Sequence, residues 1–174
     1  MLDSLITNKT RLKLLLKFFL NSETTSYLRN LEGEFGESTN SIRLELNRFE
    51  KAGLLNSNFA GNKKYFKANA NHPLYEEINS ILKKTIGIDK IVEQVTSKVG
   101  DLQEAYLIGD LAKGTDSEII DLLLIGNNID KVYVSQLSIK VETHINRKIR
   151  FLIVQFEEKD KYLTNNNALC IWKG

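Results

Sequence analysis

The sequence predicts an α+β protein of two domains, with helices and one hairpin first and a small α/β domain second. In the first half of the chain, apolar residues recur mostly at helical spacing. In the second half, Ala105–Ile108 and Ile119–Ile125 are apolar runs typical of buried strands. Between the two halves of the chain, Asn71-His72-Pro73 contains the only proline. We therefore expect the domains to cover residues 1–86 and 87–174.

The composition supports folded domains and excludes several other classes. Of the 174 residues, 42% are hydrophobic and 26% are charged, so the chain can bury a core and is not a disordered protein. Cys170 is the only cysteine, which rules out an internal disulfide and a thiolate zinc site and predicts a reducing, cytoplasmic location. The most apolar run, residues 14–20, is interrupted by Lys17 and is too short to span a membrane.

Basic residues are concentrated in the N-terminal part. Residues 1–67 contain 11 lysines and arginines against 7 acidic residues, whereas residues 68–174 contain 13 against 15. The segments therefore carry net charges of +4 and −2, which favours a polyanionic partner for the first.

Three helices are predicted in the N-terminal domain. The first covers residues 3–20, and the second covers about Glu23–Phe35 and is closed by Gly36. The third starts after Ser38 or Thr39 as N-cap and stops at Lys51-Ala52-Gly53. Its inward face has Ile42, Leu46 and Phe49, and its outward face has Asn40, Arg43, Leu44 and Asn47. Two helices joined by a short turn, with polar residues outward on the second, form a helix-turn-helix pattern.

A β-hairpin is predicted directly after the third helix. Leu54-Leu55 starts one strand, Gly61-Asn62 favours a tight turn and Lys64–Lys67 forms the returning strand. Three helices followed by a hairpin are the order of a winged helix, in which the hairpin is the wing. A fourth helix is expected from Pro73 to about Thr85, and a fifth from Ile88 to Gly100.

The winged-helix order predicts double-stranded DNA as the partner. The third helix would enter the major groove, and wing lysines would contact phosphates. The predicted DNA-binding residues are Ser38, Thr39, Asn40, Arg43, Asn47, Lys63 and Lys64. One alternative is a solvated polar helix face, which Glu45 and Glu50 on the same helix would also fit, and another is a module that contacts a protein.

The segment STNSIRLELNRFEKAGLLNSNFAGNKKYFKAN, followed by HPLYEEI, resembles the winged-helix domain of ArsR-like bacterial transcription regulators. The most specific part is LNRFEKAGLL with the basic hairpin and His-Pro-Leu, and the resemblance covers about residues 5–85. It implies a DNA-binding homodimer in which the first, fourth and fifth helices form the dimer surface. Many such regulators sense metals through cysteine clusters, and this region has no cysteine, so no metal is expected.

The segment LIGDLAKGTDSEIIDLLLIG, residues 107–126, resembles the signature of polymerase-β-like minimal nucleotidyltransferases. Their pattern is an apolar strand, Gly-Ser, a short loop and Asp-x-Asp on the next strand, and their chemistry needs about two divalent metals held by clustered carboxylates. The predicted elements after this segment are a helix over Lys131–Arg147 and a strand over Ile149–Phe156.

The sequence departs from this signature at its chemical positions. Gly109 matches the glycine and Asp121 matches the second carboxylate, but Asp110 stands where serine is expected. Ile119 stands where the first aspartate is expected, and the later strand IRFLIVQF has no carboxylate. The resemblance therefore implies a degenerate, non-catalytic nucleotide site at Gly109, Asp110 and Asp121, with no cofactor.

An enzyme remains the alternative function. It would be a magnesium-dependent nucleotidyltransferase that acts on a protein or a small-molecule acceptor. Asp121 would then form an altered metal site with Asp110, Asp116 or Glu118.

Overall fold

The computed structural model describes residues 2–95, 99–163 and 168–174, which form an α+β fold with two separate sheets. The chain divides into two compact units, Met1–Thr85 and Ile86–Gly174. Within the described residues, no helix has the length and apolarity that crossing a bilayer would require.

The N-terminal unit contains helices around a three-stranded antiparallel sheet of order β1-β3-β2. Its elements are α1 (Leu2–Leu5), α2 (Lys9–Phe19), β1 (Thr25–Tyr27), α3 (Leu28–Phe35), α4 (Thr39–Lys51), β2 (Leu55–Ala60), β3 (Lys63–Ala68) and α5 (Tyr75–Ile86). Helices α2, α3 and α4 bury a shared core. It includes Leu14, Phe18, Leu31, Ile42 and Leu46.

Helix α4 and the hairpin confirm the local predictions. The Ser38 side chain accepts a hydrogen bond from the Ser41 N–H and so caps α4, as expected. Gly36 closes α3 in the left-handed conformation, with φ of 63°. Strands β2 and β3 pair on either side of the Gly61-Asn62 turn. Local capping and turn signals were therefore sufficient to predict the start of α4, the end of α3 and the β2–β3 turn.

Two predictions for the first 35 residues are wrong. The single helix over 3–20 is divided into α1 and α2, because the Asn8 side chain accepts from the Arg11 N–H and starts a new helix. The predicted helix from Glu23 begins instead with strand β1, whose residues pair with Tyr65–Lys67 of β3. That pairing partner lies far along the chain, so helical periodicity alone did not reveal the strand.

The C-terminal unit contains a four-stranded sheet of order β6-β5-β4-β7. Its elements are α6 (Ile88–Val95), β4 (Asp101–Ile108), α7 (Gly109–Ala112), β5 (Ile119–Asn127), α8 (Lys131–Ile145), β6 (Lys148–Val154), a 3-10 turn (Phe156–Glu158), α9 (Lys159–Leu163) and β7 (Leu169–Lys173). Strands β5 and β6 are parallel and are connected through α8, whereas β4 is antiparallel to both of its neighbours.

Three further details differ from the sequence-based expectations. Pro73 lies in a turn before α5 rather than in its first turn, and the Leu74 N–H donates to Nδ1 of His72 there. The predicted fifth helix, Ile88 to Gly100, corresponds to α6 up to Val95; residues 96–98 lie outside the described residues, and Val99 and Gly100 form a bend. Strand β7 was not predicted; it forms by pairing with β4, and its residue Cys170 is exposed.

Candidate functional site

The exposed face of α4 presents the side chains that the sequence assigned to DNA. Asn40, Arg43 and Asn47 are exposed, whereas Ile42 and Leu46 on the opposite face are buried. Because residues three and four positions apart lie on one side of a helix, the three polar side chains form a continuous surface. Ser38 serves α4 as its N-cap, through a 3.1 Å hydrogen bond from the Ser41 N–H.

A cavity of about 470 Å³ lies between α3, α4 and the β2–β3 hairpin, and we call it the basic groove. Its lining residues are Tyr27, Leu28, Arg29, Arg43, Leu46, Asn47, Asn62, Lys63, Lys64 and Phe66. The groove brings together four predicted residues, Arg43, Asn47, Lys63 and Lys64, from two elements. Ser38, Thr39 and Asn40 do not line it. No carboxylate belongs to the lining.

The cations of the basic groove differ in how far they are neutralised. Arg29 and Arg43 form no ion pair with any residue that the structure describes. The Nζ of Lys63 lies 4.5 Å from the ring centre of Tyr27 and pairs with no described carboxylate. Lys64 is different, because its Nζ lies 2.7 Å from Glu50. The hydrogen bond from Lys64 is the largest cause that lowers the pKa of Glu50.

Six lining residues of the groove were not assigned to DNA from the sequence, and Tyr27 and Arg29 are two of them. Tyr27 ends β1, the strand that the sequence did not predict, and Arg29 lies in the first turn of α3. The ring of Tyr27 packs edge-on against Tyr65 at 5.2 Å between centroids, which holds it below Lys63. An isolated arginine in the first helical turn gave no sequence signal.

Glu45 on α4 is buried, so it does not belong to the solvated polar face that the alternative interpretation of this helix would require. Its carboxylate accepts from Arg11 of α2, with Nε at 2.7 Å and Nη2 at 3.2 Å, and also from Arg48 and Asn8. The hydrogen bond from Arg11 is the main cause that holds the pKa of Glu45 below its usual range. This network ties α4 to α2 and neutralises two arginines.

In the C-terminal unit, the structure places Gly109 directly against Asp121. Gly109 starts α7 with φ of 71°, and a Cβ there would lie 2.7 Å from Oδ2 of Asp121. Asp121 is not free, because Nε and Nη2 of Arg150 donate to its two oxygens at 2.6 and 2.9 Å. Arg150 lies opposite Asp121 in the parallel pairing of β5 and β6. The carboxylate in turn raises the pKa of Arg150.

The other acidic residues of this region do not complete a metal site. Asp116 pairs with Arg147 at 3.0 Å, and Arg147 also donates to the Ser117 carbonyl. Asp110 is exposed on α7. Among the described residues, no group of three histidine, cysteine or acidic side chains is placed to hold a metal ion. The side chains present therefore do not fit the pair of magnesium ions that nucleotidyl transfer needs.

No family model and no curated protein matches this chain. Among solved structures, it is similar to a mutant of the MntA–HpeT toxin–antitoxin, with a TM-score of 0.39, 16% identity and coverage of 49% of this chain and 72% of that one. It is also similar to a toxin–antitoxin with AMP-PNP, with a TM-score of 0.39, 18% identity and coverage of 49% of this chain and 73% of that one. For a proposed nucleotidyltransferase from Sulfolobus solfataricus, the TM-score is 0.37, the identity is 24%, and the match covers 55% of this chain and 86% of that one. Because these TM-scores lie below 0.5, they establish neither fold nor activity.

Proposed function

We propose that this chain is a DNA-binding transcription regulator, with a winged helix as its N-terminal unit. The order α2–β1–α3–α4–β2–β3 and the sheet order β1-β3-β2 support this assignment. Helix α4 is then the recognition helix, and the β2–β3 hairpin is the wing. A DNA partner agrees with the cytoplasmic location that the sequence predicts.

The observation that carries the proposal is the basic groove. Arg29, Arg43 and Lys63 come from three elements and converge on it without a carboxylate partner among the described residues. Cations that are not already paired can release the counterions of a DNA backbone, which supplies much of the affinity for DNA. Arg43 and Asn47 also have the side-chain types that read guanine and adenine in the major groove.

We propose that the chain forms a homodimer through the exposed face of α5. Ile81 of this helix is 47% exposed, and Leu74, in the turn directly before the helix, is 54% exposed. The charged residues Glu77 and Lys84 are also exposed on α5. If a two-fold axis crosses α5, two antiparallel copies bring Glu77 near Lys84 of the second copy. Such a surface is self-complementary in apolar contact and in charge. The dimer would present two recognition helices to the same DNA.

We propose that the C-terminal unit is a nucleotidyltransferase-like domain without catalytic activity. Strand β4, Gly109, helix α7 and strand β5 occur in the order of the signature, which supports the relationship. The Asp121–Arg150 ion pair argues against the alternative enzyme, because it occupies the carboxylate that would bind metal. Asp116, another candidate metal ligand of the alternative enzyme, is likewise ion-paired with Arg147.

The test measures binding of the full chain to labelled duplexes selected from a random-sequence library, by fluorescence anisotropy. The variant Arg29→Ala/Arg43→Ala/Lys63→Ala should lose about three orders of magnitude in affinity, since each charge-assisted contact contributes about 1.5 kcal/mol. The matched control is Arg150→Ala, which removes an exposed arginine of the other unit and should bind as the unmodified chain does. Equal affinity of the triple variant, or no selected duplex, would contradict the proposal.

A further inference from the structure

The basic groove has a buried apolar floor below its charged rim. Leu46 and Phe66 line the cavity, although these residues are only 1% and 4% exposed. Leu28, which is half-buried, also lines it. The cations Arg29 and Arg43 belong to the same lining and are exposed. The cavity therefore extends from the charged surface of the N-terminal unit down to its core.

Contact with DNA does not account for this floor. A duplex contacts the exposed side chains that α4 and the hairpin present, so it would bind the cations at the rim and leave the floor unfilled. Pockets for small molecules are concave and mostly apolar, have volumes of about 300–1,000 Å³, and contain a few polar groups that orient the ligand. The basic groove has a volume of about 470 Å³ and contains two amide side chains, Asn47 and Asn62. Its size and its lining therefore suit a small molecule.

The unpaired cations determine the charge of that molecule. Arg29, Arg43 and Lys63 line one cavity and have no carboxylate partner among the described residues. Tyr27 holds Lys63 at the cavity, because its ring centre lies 4.5 Å and its hydroxyl 3.5 Å from Nζ. Cations that share a cavity repel one another, and a ligand with two negative charges relieves this repulsion. Arginine also binds a carboxylate or a phosphate group through two parallel hydrogen bonds.

We propose that the basic groove binds a small organic dianion with an apolar body, an aromatic dicarboxylate or an aryl phosphate. The apolar body packs on Leu46 and Phe66, and the anionic groups bind Arg29, Arg43 and Lys63. A magnesium nucleotide does not belong to this class, because its ribose hydroxyls and base amides would lose hydrogen bonds on the apolar floor.

Binding of the dianion does not depend on the proposed DNA-binding function, but its consequence rests on that function. Arg43 and Lys63 would contact both the dianion and DNA. The two ligands therefore exclude each other, and the dianion releases the regulator from DNA.

The ligand class is tested by calorimetric titration of the full chain with four compounds at about pH 8, where a phosphate monoester carries two charges. 2-Naphthyl phosphate and naphthalene-2,6-dicarboxylate have a ring and two negative charges, 2-naphthol has the ring alone, and inorganic phosphate has the charge alone. At least one naphthyl dianion should bind about tenfold or more tightly than 2-naphthol and inorganic phosphate. The tighter dianion identifies the anionic group as phosphate or carboxylate. Equal affinity for 2-naphthol or inorganic phosphate, or no binding of either dianion, would overturn the inference.

Variants of the full chain test whether the dianion lies in the groove. Arg29→Ala/Arg43→Ala should bind it about a hundredfold more weakly, since each lost charge-assisted contact costs about tenfold. Lys9→Ala/Lys51→Ala is the matched control, because it removes two exposed cations of the same unit that do not line the groove. Asn47→Trp keeps every cation but fills part of the cavity, and it should also lose binding. Asn47 is exposed, so this variant should fold, as circular dichroism would show. Unchanged affinity of either folded groove variant would overturn the inference.

Competition with DNA separates this inference from the proposed function. The tighter naphthyl dianion should release a labelled duplex from the full chain, whereas inorganic phosphate at equal ionic strength should leave most of it bound. If the chain binds a duplex but neither dianion, the inference fails and the DNA-binding function stands. If a dianion binds in the groove and no duplex binds, the proposed function fails and the dianion site stands. If both bind without competing, the mutual exclusion is wrong.

Discussion

The basic groove and the Asp121 site differ in whether their charged side chains are already paired. In the groove, Arg29, Arg43 and Lys63 have no carboxylate partner among the described residues. In the C-terminal unit, Asp121 is held by two hydrogen bonds from Arg150. Each region contains charged residues that its sequence pattern predicts, Arg43 and Lys63 in the groove and Asp121 in the C-terminal unit. Only the groove keeps them available to a ligand.

The proposed relationship to nucleotidyltransferases would mean that the C-terminal unit keeps the backbone arrangement of the signature while its matching carboxylate is paired within the protein. Gly109 approaches Asp121 closely, since a Cβ at Gly109 would lie 2.7 Å from Oδ2 of Asp121. An arginine on the neighbouring strand nevertheless neutralises the one matching carboxylate, and a neutralised carboxylate is a poor ligand for a divalent ion. In the same way, a lysine or arginine can bind a DNA phosphate only when it is not already ion-paired with a carboxylate of the protein.

The largest effect is expected from rebuilding the Asp121 site. The unmodified chain should not bind magnesium–ATP at millimolar concentrations, because Asp121 and Asp116 are ion-paired and the described acidic side chains form no cluster that could hold a metal ion. The variant Ile119→Asp/Asp110→Ser should gain affinity, and adding Arg150→Ala should raise it further by freeing Asp121. Calorimetric titration with magnesium–ATP measures each form.

Calcium–ATP titrations and a repeat without metal are the controls for this series. Tight binding of magnesium–ATP by the unmodified chain would show that the ion pair opens, and the contrast between the two regions would be lost. Magnesium-dependent transfer of label from a nucleotide would establish the enzyme.

The next effect concerns sequence discrimination by α4. Arg43→Ala or Asn47→Ala should reduce the preference for a selected duplex over a scrambled one by about 1–3 kcal/mol, if the side chain makes a bidentate contact with a base. Competition titrations give this ratio directly. Lys9→Ala, which removes an exposed lysine at the start of α2 outside the groove, is the control. Unchanged ratios for both variants would mean that α4 does not read bases.

A smaller effect is expected from Glu45, the neutralised carboxylate of the N-terminal unit. Because its pKa is lowered in the folded chain, it stabilises the fold above its unfolded pKa of about 4.3, and this stabilisation is lost as the pH falls through the folded pKa. Glu45→Gln should therefore be less stable by about 1–2 kcal/mol at pH 7. The difference should stay constant down to about pH 4.3 and shrink as the pH falls below that unfolded pKa.

Urea unfolding followed by circular dichroism at several pH values measures this difference. Glu32→Gln, at an exposed position of α3, is the matched control and should follow the unmodified chain. A pH-independent difference for Glu45→Gln would show that its charge does not act through Arg11.

The smallest effect distinguishes the two wing lysines. Lys63→Ala should lower the slope of log affinity against log salt by about 0.9, the value for one phosphate contact. Lys64→Ala should change it less, because Lys64 is paired with Glu50. Titrations over a range of salt concentrations give both slopes. Equal slopes for the two variants would show that the Glu50 pair opens on DNA.

The sequence by itself determined the elements that local signals specify. Ser38 as N-cap, the buried face with Ile42 and Leu46, and the Gly61-Asn62 turn all follow from residues a few positions apart. Four of the seven residues assigned to DNA therefore lie together in the groove.

Only the tertiary structure decided which charges remain available. Glu45 meets Arg11 across 34 positions, Asp121 meets Arg150 across 29, and β1 forms only against β3. None of these contacts has a periodic or nearest-neighbour signal, because each depends on where distant elements pack. The same holds for Arg29, which the fold of α3 against the hairpin brings to the groove. The sequence shows which residues are charged, but the packing of distant elements determines which of them form ion pairs.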